Sequence, residues 1–210
     1  MTNSLTILFC LTLMYLAVTT RVSAYVLILV IQGLLVAGIY TISFLQHFSW
    51  SHLTIAIAVL LFRTILIPGY IVKIVRDLDM RHQDRTRRYH PGFLLQISAV
   101  VITSFLFSHQ LSGMAQVSVI PLGAAIAGIF SGGLLIIHRQ LLLAHVVGLL
   151  IIENGLFLLG VGVQADMPWV IELAAFLDLF VLVFLMGIAM NQLKSHFPDI
   201  EGAELTSLRD

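Results

Sequence analysis

LLLAHVVGLLIIENGLFLLGVGVQ, residues 141 to 164, is an apolar run interrupted near its midpoint by one carboxylate, Glu153. A helix of about 20 apolar residues matches the roughly 30 Å hydrocarbon core of a bilayer, so the stretch reads as a transmembrane helix with an acid at its centre. The next stretch, Pro168 to Gln192, is PWVIELAAFLDLFVLVFLMGIAMNQ; it is as long and holds Glu172 and Asp178. A charged side chain at mid-bilayer costs roughly 2.5–3.5 kcal/mol even on lenient insertion scales, so such groups are rare and mark ion or proton routes. A third apolar run contains Arg63. Four such groups, charged and facing lipid, would cost on the order of 10 kcal/mol, so neighbouring helices must neutralise, pair or hydrate them.

Working outward from these runs, the same criterion predicts an all-α polytopic bundle of seven transmembrane helices. They cover Ser4–Thr20, Tyr25–Gln46, His52–Val75, Gly92–Gln110, Gln116–Ile137, Leu141–Gln164 and Pro168–Gln192. Hydrophobic residues make up 59% of the 210 residues and charged residues only 10%, against about a quarter in soluble domains. The mean hydropathy of +1.02 agrees. Val22-Ser23-Ala24 resembles a small-residue cleavage site, which would make the first run a signal peptide, but no Lys or Arg precedes that run and a retained helix is expected. The single cysteine, Cys10, excludes an internal disulfide and the clustered thiolates that an iron–sulfur cluster or a nickel–iron centre needs.

Basic residues set the expected orientation. Arg21 follows the first run, Lys73 to Arg88 the third, Arg139 the fifth, and Lys194 and Arg209 the seventh, whereas the intervening connections hold no Lys or Arg. The positive-inside rule then places the N-terminus outside and the C-terminus in the cytoplasm of a cell inner membrane. The basic loop 76–91 is either a solvated segment near anionic headgroups or a docking surface for a soluble partner. Residues 1–112 thus form a four-helix N-terminal unit, 113–195 a three-helix unit, and 196–210 a short cytoplasmic tail.

Glu153, Asp178 and Glu172 are candidate proton-pathway residues, and Arg63 is a candidate tuning charge, since arginine stays protonated and cannot itself relay a proton. The bland alternative is a fixed Arg63–carboxylate pair that only staples helices. Five residues after Arg63, Pro68 removes a backbone donor and frees a carbonyl near Thr64, which makes either a hydrated kink or a packing kink. His138 and His145 flank the basic end of the sixth run, where His145 is a candidate for handing protons inward or is simply solvated. His47, His52 and His109 match no metal spacing. No catalytic, metal or cofactor-binding residue is expected on this chain, and nothing suggests nucleic acid. Glycines 128, 132 and 133 with Ser131, and Gly148 and Gly155, suit close helix packing.

Residues 120–149, IPLGAAIAGIFSGGLLIIHRQLLLAHVVGL, with LIIENGLFLLG and the run from Met167 to Met190, resemble the three-helix K-type subunit of respiratory complex I, chain 4L of mitochondria. The shared features are Ile120-Pro121-Leu122, the basic turn at His138-Arg139 before Leu141-Leu142-Leu143, the Gly148-Leu149 pair and the tail. With the preceding helices, Thr64, Pro68, Glu153-Asn154-Gly155 and Glu172 to Gly187, the whole chain is similar to hydrogenase-4 component E of formate hydrogenlyase and related membrane-bound hydrogenases. The acidic positions depart from the K-type pattern. Its first glutamate position is Leu150 here, and Glu153 lies three residues on, about 4.5 Å along the axis on roughly the same face. Its second falls near Leu177, with Asp178 adjacent but rotated by about 100°.

The resemblance implies a non-catalytic membrane subunit of a hydrogenase or complex I-like oxidoreductase, contributing buried carboxylates to proton translocation. It implies antiporter-like and helix-anchor membrane subunits and a peripheral redox arm as partners, with the nickel–iron centre and iron–sulfur clusters in those partners. A subunit of a multi-subunit cation/proton antiporter and a purely structural membrane anchor are the alternatives.

Overall fold

The computed structural model describes residues 2–19, 21–44, 65–77, 91–112, 118–139, 142–163 and 187. These residues are helical apart from short connections, and no strand occurs among them. Among the described residues six helices are defined: α1 (Thr2–Val18), α2 (Val22–Phe44), α3 (Ile67–Asp77), α4 (Pro91–Ser112), α5 (Val119–His138) and α6 (Leu142–Val163). Among the described residues, three spans are long and apolar enough to cross a membrane, Gly92–Leu111, Val119–His138 and Leu143–Val163, with Thr2–Val18 and Ser23–Ile39 as shorter apolar stretches of α1 and α2. The expected first, second, fourth, fifth and sixth helices fall within a few residues of the observed α1, α2, α4, α5 and α6. The expected seventh helix and most of the third lie outside the described residues.

Proline sets two of the starts. Pro91 and Pro121 fall in the first turns of α4 and α5, where a missing N–H costs no intrahelical bond. This explains the one notable boundary difference. The expected start of the fifth helix at Gln116 would place Pro121 where its N–H is needed, whereas α5 begins at Val119. A π turn at residues 65–66 precedes α3.

α1 and α2 form a hairpin, α5 and α6 form a second, and α1 lies against α2, α4 and α5 while α6 packs on α5 and α2. α5 and α6 are the enclosed pair. In α6, 67% of the span is buried, against 22% in α4, whose Leu95, Ile102 and Leu106 point away from the bundle. Exposed faces as apolar as the buried ones suit hydrocarbon rather than water. α3 differs: Ile67 and Ile71 are buried while Val72 and Lys73 are exposed, so it is apolar mainly on the face it turns to α2.

Two clusters mark the ends of the bundle. At one, Arg139 Nη2 donates to the Thr19 carbonyl at 3.5 Å, its guanidinium carbon lies 5.6 Å from the centre of the Phe93 ring, and the His138 ring sits 5.1 Å from that same ring. The Arg21 backbone N–H donates to Thr19 Oγ1 at 3.4 Å. The basic residues that follow the first and fifth runs therefore share one end of the fold. At the other, Ser118 N–H donates to the Gly162 carbonyl at 2.9 Å and Ser108 Oγ to the Val119 carbonyl at 2.6 Å.

Glycine brings α5 and α6 into backbone contact. A Cβ placed on Gly155 would lie 2.8 Å from the Ala125 carbonyl oxygen, on Gly148 2.7 Å from that of Gly132, and on Gly162 2.9 Å from the Leu122 nitrogen. Gly148, Gly155 and Gly162 repeat every seven residues, the period that keeps a seam in register between helices crossing at a shallow angle. Packing is thus the role of Gly128, Gly132, Gly148 and Gly155. Gly133 does not belong to that face, because a Cβ there would meet nothing within 4 Å.

Candidate functional site

Glu153 lies near the midpoint of α6, about 15 Å from either end at 1.5 Å per residue. Only 1% of its surface is exposed, and the neighbouring Asn154 is 5% exposed. The glycine seam of α6 faces α5, and residues 150, 153 and 154, on the other side of the helix, face α2 and α3. There they line a small cavity of about 10 Å³ together with Leu29 of α2 and Ile67 and Pro68 of α3. Among the described residues, four apolar and two polar side chains line a space about the size of one water molecule.

A polar chain leaves the site across three helices. Asn154 Nδ2 donates to Gln32 Oε1 at 3.2 Å, Gln32 Nε2 to Thr12 Oγ1 at 2.8 Å, and Thr12 Oγ1 to the Phe9 carbonyl at 2.6 Å. Gln32 is fully buried on α2. An unpaired amide in such surroundings would cost several kcal/mol, so the chain satisfies groups that the apolar core could not otherwise accept. Hydrogen bonds of this kind between membrane helices contribute about 0.6 to 2 kcal/mol each.

His145 stands half-buried on α6, eight residues before Glu153 and so about 12 Å away along the axis. The structure does not bring the two into direct contact range. Arg63, Glu172 and Asp178 lie outside the described residues, although Pro68, five positions after Arg63, walls the Glu153 cavity. Among the described residues, no three His, Cys, Asp or Glu side chains converge as a metal site.

Gln32 and Thr12 are functional candidates that the sequence reading passed over. The available signal was a single amide, Gln32, inside the second apolar run, together with a threonine in the first. Asn154 had been noted only as part of a motif.

No family model matches the chain, and no solved structure matches it. The chain is similar to the uncharacterized protein Rv0085 of Mycobacterium tuberculosis, at 24% identity over 189 residues, 89% of this chain and 86% of that protein. Similarity over nearly both full lengths fits a shared architecture of the whole chain.

Proposed function

We propose that the chain is a multi-pass inner-membrane subunit of a membrane-bound hydrogenase or complex I-like redox complex, and that Glu153 carries protons within it. The observation that supports this best is the placement of Glu153: an acid 1% exposed at the centre of an apolar helix, beside a water-sized cavity and a polar chain. A carboxylate is costly there, and a group that alternates between neutral and charged forms is one use that offsets the cost. Arg63 acts in this reading as the tuning charge, with Asp178 and Glu172 continuing the route through the seventh helix and His145 near its cytoplasmic mouth. The N-terminus faces outward and the C-terminus the cytoplasm. Membership of a hydrogenase-type assembly rests on the resemblance of residues 120–190 and of the whole chain described above. The redox cofactors reside in partner subunits.

The test is purification of an affinity-tagged chain from its native membranes in mild detergent. Nickel, iron and hydrogen-evolving activity should co-elute with it, in constant proportion across a size-exclusion peak. Elution with cation/proton antiporter subunits and no redox metal would contradict the assignment.

A further inference from the structure

We propose that the junction of α1, α4 and α5, at the basic end of the bundle, binds one anionic phospholipid whose phosphate group is held by Arg139. The proposal uses no property of Glu153 and stands apart from the proton-carrying reading.

Arg139 caps the C-terminal end of α5, and its side chain reaches two other helices. Nη2 donates to the carbonyl of Thr19, just past α1, at 3.5 Å, and the guanidinium carbon sits 5.6 Å from the centre of the Phe93 ring in the first turn of α4. Phe93 is itself buried, which makes its ring a fixed platform. One hydrogen bond and one cation–π contact therefore hold the guanidinium in place before any ligand arrives, and a preorganised group binds at a smaller entropy cost. Neither contact neutralises it. A carbonyl and an aromatic face carry no net charge, and among the described residues the other four N–H donors of the guanidinium have no acceptor. A planar fork of such donors matches the oxygens of a phosphate group.

The same corner gathers further positive potential. Arg21 is exposed two residues past Thr19, and its backbone N–H donates to Thr19 Oγ1 at 3.4 Å. α4 presents its positive, N-terminal end here and has no acidic residue in its first turn. His138, exposed and 5.1 Å from the Phe93 ring, is fixed by Nδ1, which donates to the Leu134 carbonyl at 3.1 Å.

The surroundings favour a lipid over a free anion. Ile137 and Phe130 are exposed on α5, and Leu95 and Ile102 on α4, so apolar surface begins within two residues of the cluster on both helices and runs away from it. Acyl chains suit such surface while the headgroup stays at its end, as in the basic pockets between membrane helices that hold anionic headgroups. A zwitterionic headgroup carries the same phosphate beside a cation, which Arg139 and Arg21 repel.

The test takes the whole chain in detergent micelles and follows its thermal unfolding. Phosphatidylglycerol, at roughly a hundredfold excess over its Kd, should raise the unfolding temperature by about 5 °C. Phosphatidylcholine with identical acyl chains, and inorganic phosphate, should leave it nearly unchanged. Arg139→Gln should abolish the gain, whereas Lys73→Gln, an equal loss of charge at an exposed position on α3, should keep it. Equal gains from the two lipids, or an undiminished gain in Arg139→Gln, would reduce the effect to general surface attraction and overturn the proposal. An equal gain from phosphate would overturn the lipid assignment. Native mass spectrometry of the unsubstituted chain, released from micelles holding both lipids in equal amounts, decides the matter should Arg139→Gln fail to fold. One phosphatidylglycerol should stay bound per chain with about tenfold preference, the effect of one charge-assisted hydrogen bond. Equal retention of the two lipids would overturn the site and point instead to a carboxylate of the polar loop, Asp77, Asp79 or Asp84, as the partner of Arg139.

Discussion

Glu153 and Ser131 are both enclosed polar groups on the α5/α6 hairpin, and they differ in what surrounds them. Glu153 adjoins a cavity and an amide, whereas Ser131 Oγ is buried without a hydrogen-bond partner among the described residues. An unsatisfied buried hydroxyl costs about 1–3 kcal/mol, so Ser131→Ala should stabilise the protein by about 1 kcal/mol in reversible unfolding in a fixed detergent. A destabilised variant would mean that the hydroxyl has a partner. At this scale the sequence revealed depth better than contact. A lone acid in the middle of an apolar run announces its position because hydrocarbon penalises it, and Glu153 proved almost fully buried. Gln32 and Thr12 gave no comparable signal, since either side chain can return a hydrogen bond to its own helix, as Thr6 does to the Thr2 carbonyl at 2.9 Å. Their partnership depends on which helices are neighbours, and hydropathy does not encode that.

Among the helices, the α5/α6 seam makes the sharpest claim. Gly155→Ala would place a methyl group 2.8 Å from the Ala125 carbonyl oxygen, a backbone atom that cannot move aside, so the helices must separate. The expected loss is about 1–3 kcal/mol of stability. Gly133→Ala faces open space and should be neutral or stabilising by up to about 1 kcal/mol through helix propensity alone. Equal effects of the two substitutions in the same unfolding assay would contradict the seam. The apolar runs located α1, α2, α4, α5 and α6 because a helix must satisfy its own backbone in lipid, which makes run length a reliable ruler. The grouping of Gly133 with Gly132 failed because adjacent helical residues point about 100° apart. Likewise Pro121 moved the start of α5 to Val119, a correction that proline chemistry carries and hydropathy does not.

For the molecule as a whole, the shared end occupied by Arg21, His138 and Arg139 turns the positive-inside rule into a testable orientation. Gln83→Cys, in the basic segment, should react with impermeant maleimides only from the cytoplasmic side, and Asp166→Cys only from outside; the native Cys10 is buried and should stay silent. Reversed labelling would invert the bundle. The central claim is that Glu153 carries protons, and it is tested most directly by proton translocation per electron pair in proteoliposomes containing the whole purified complex. Glu153→Gln keeps size and hydrogen bonding but cannot ionise, so it should assemble normally and lose most translocation, while Glu153→Asp should retain a substantial part of it. Wild-type translocation by a correctly assembled Glu153→Gln complex would contradict the account.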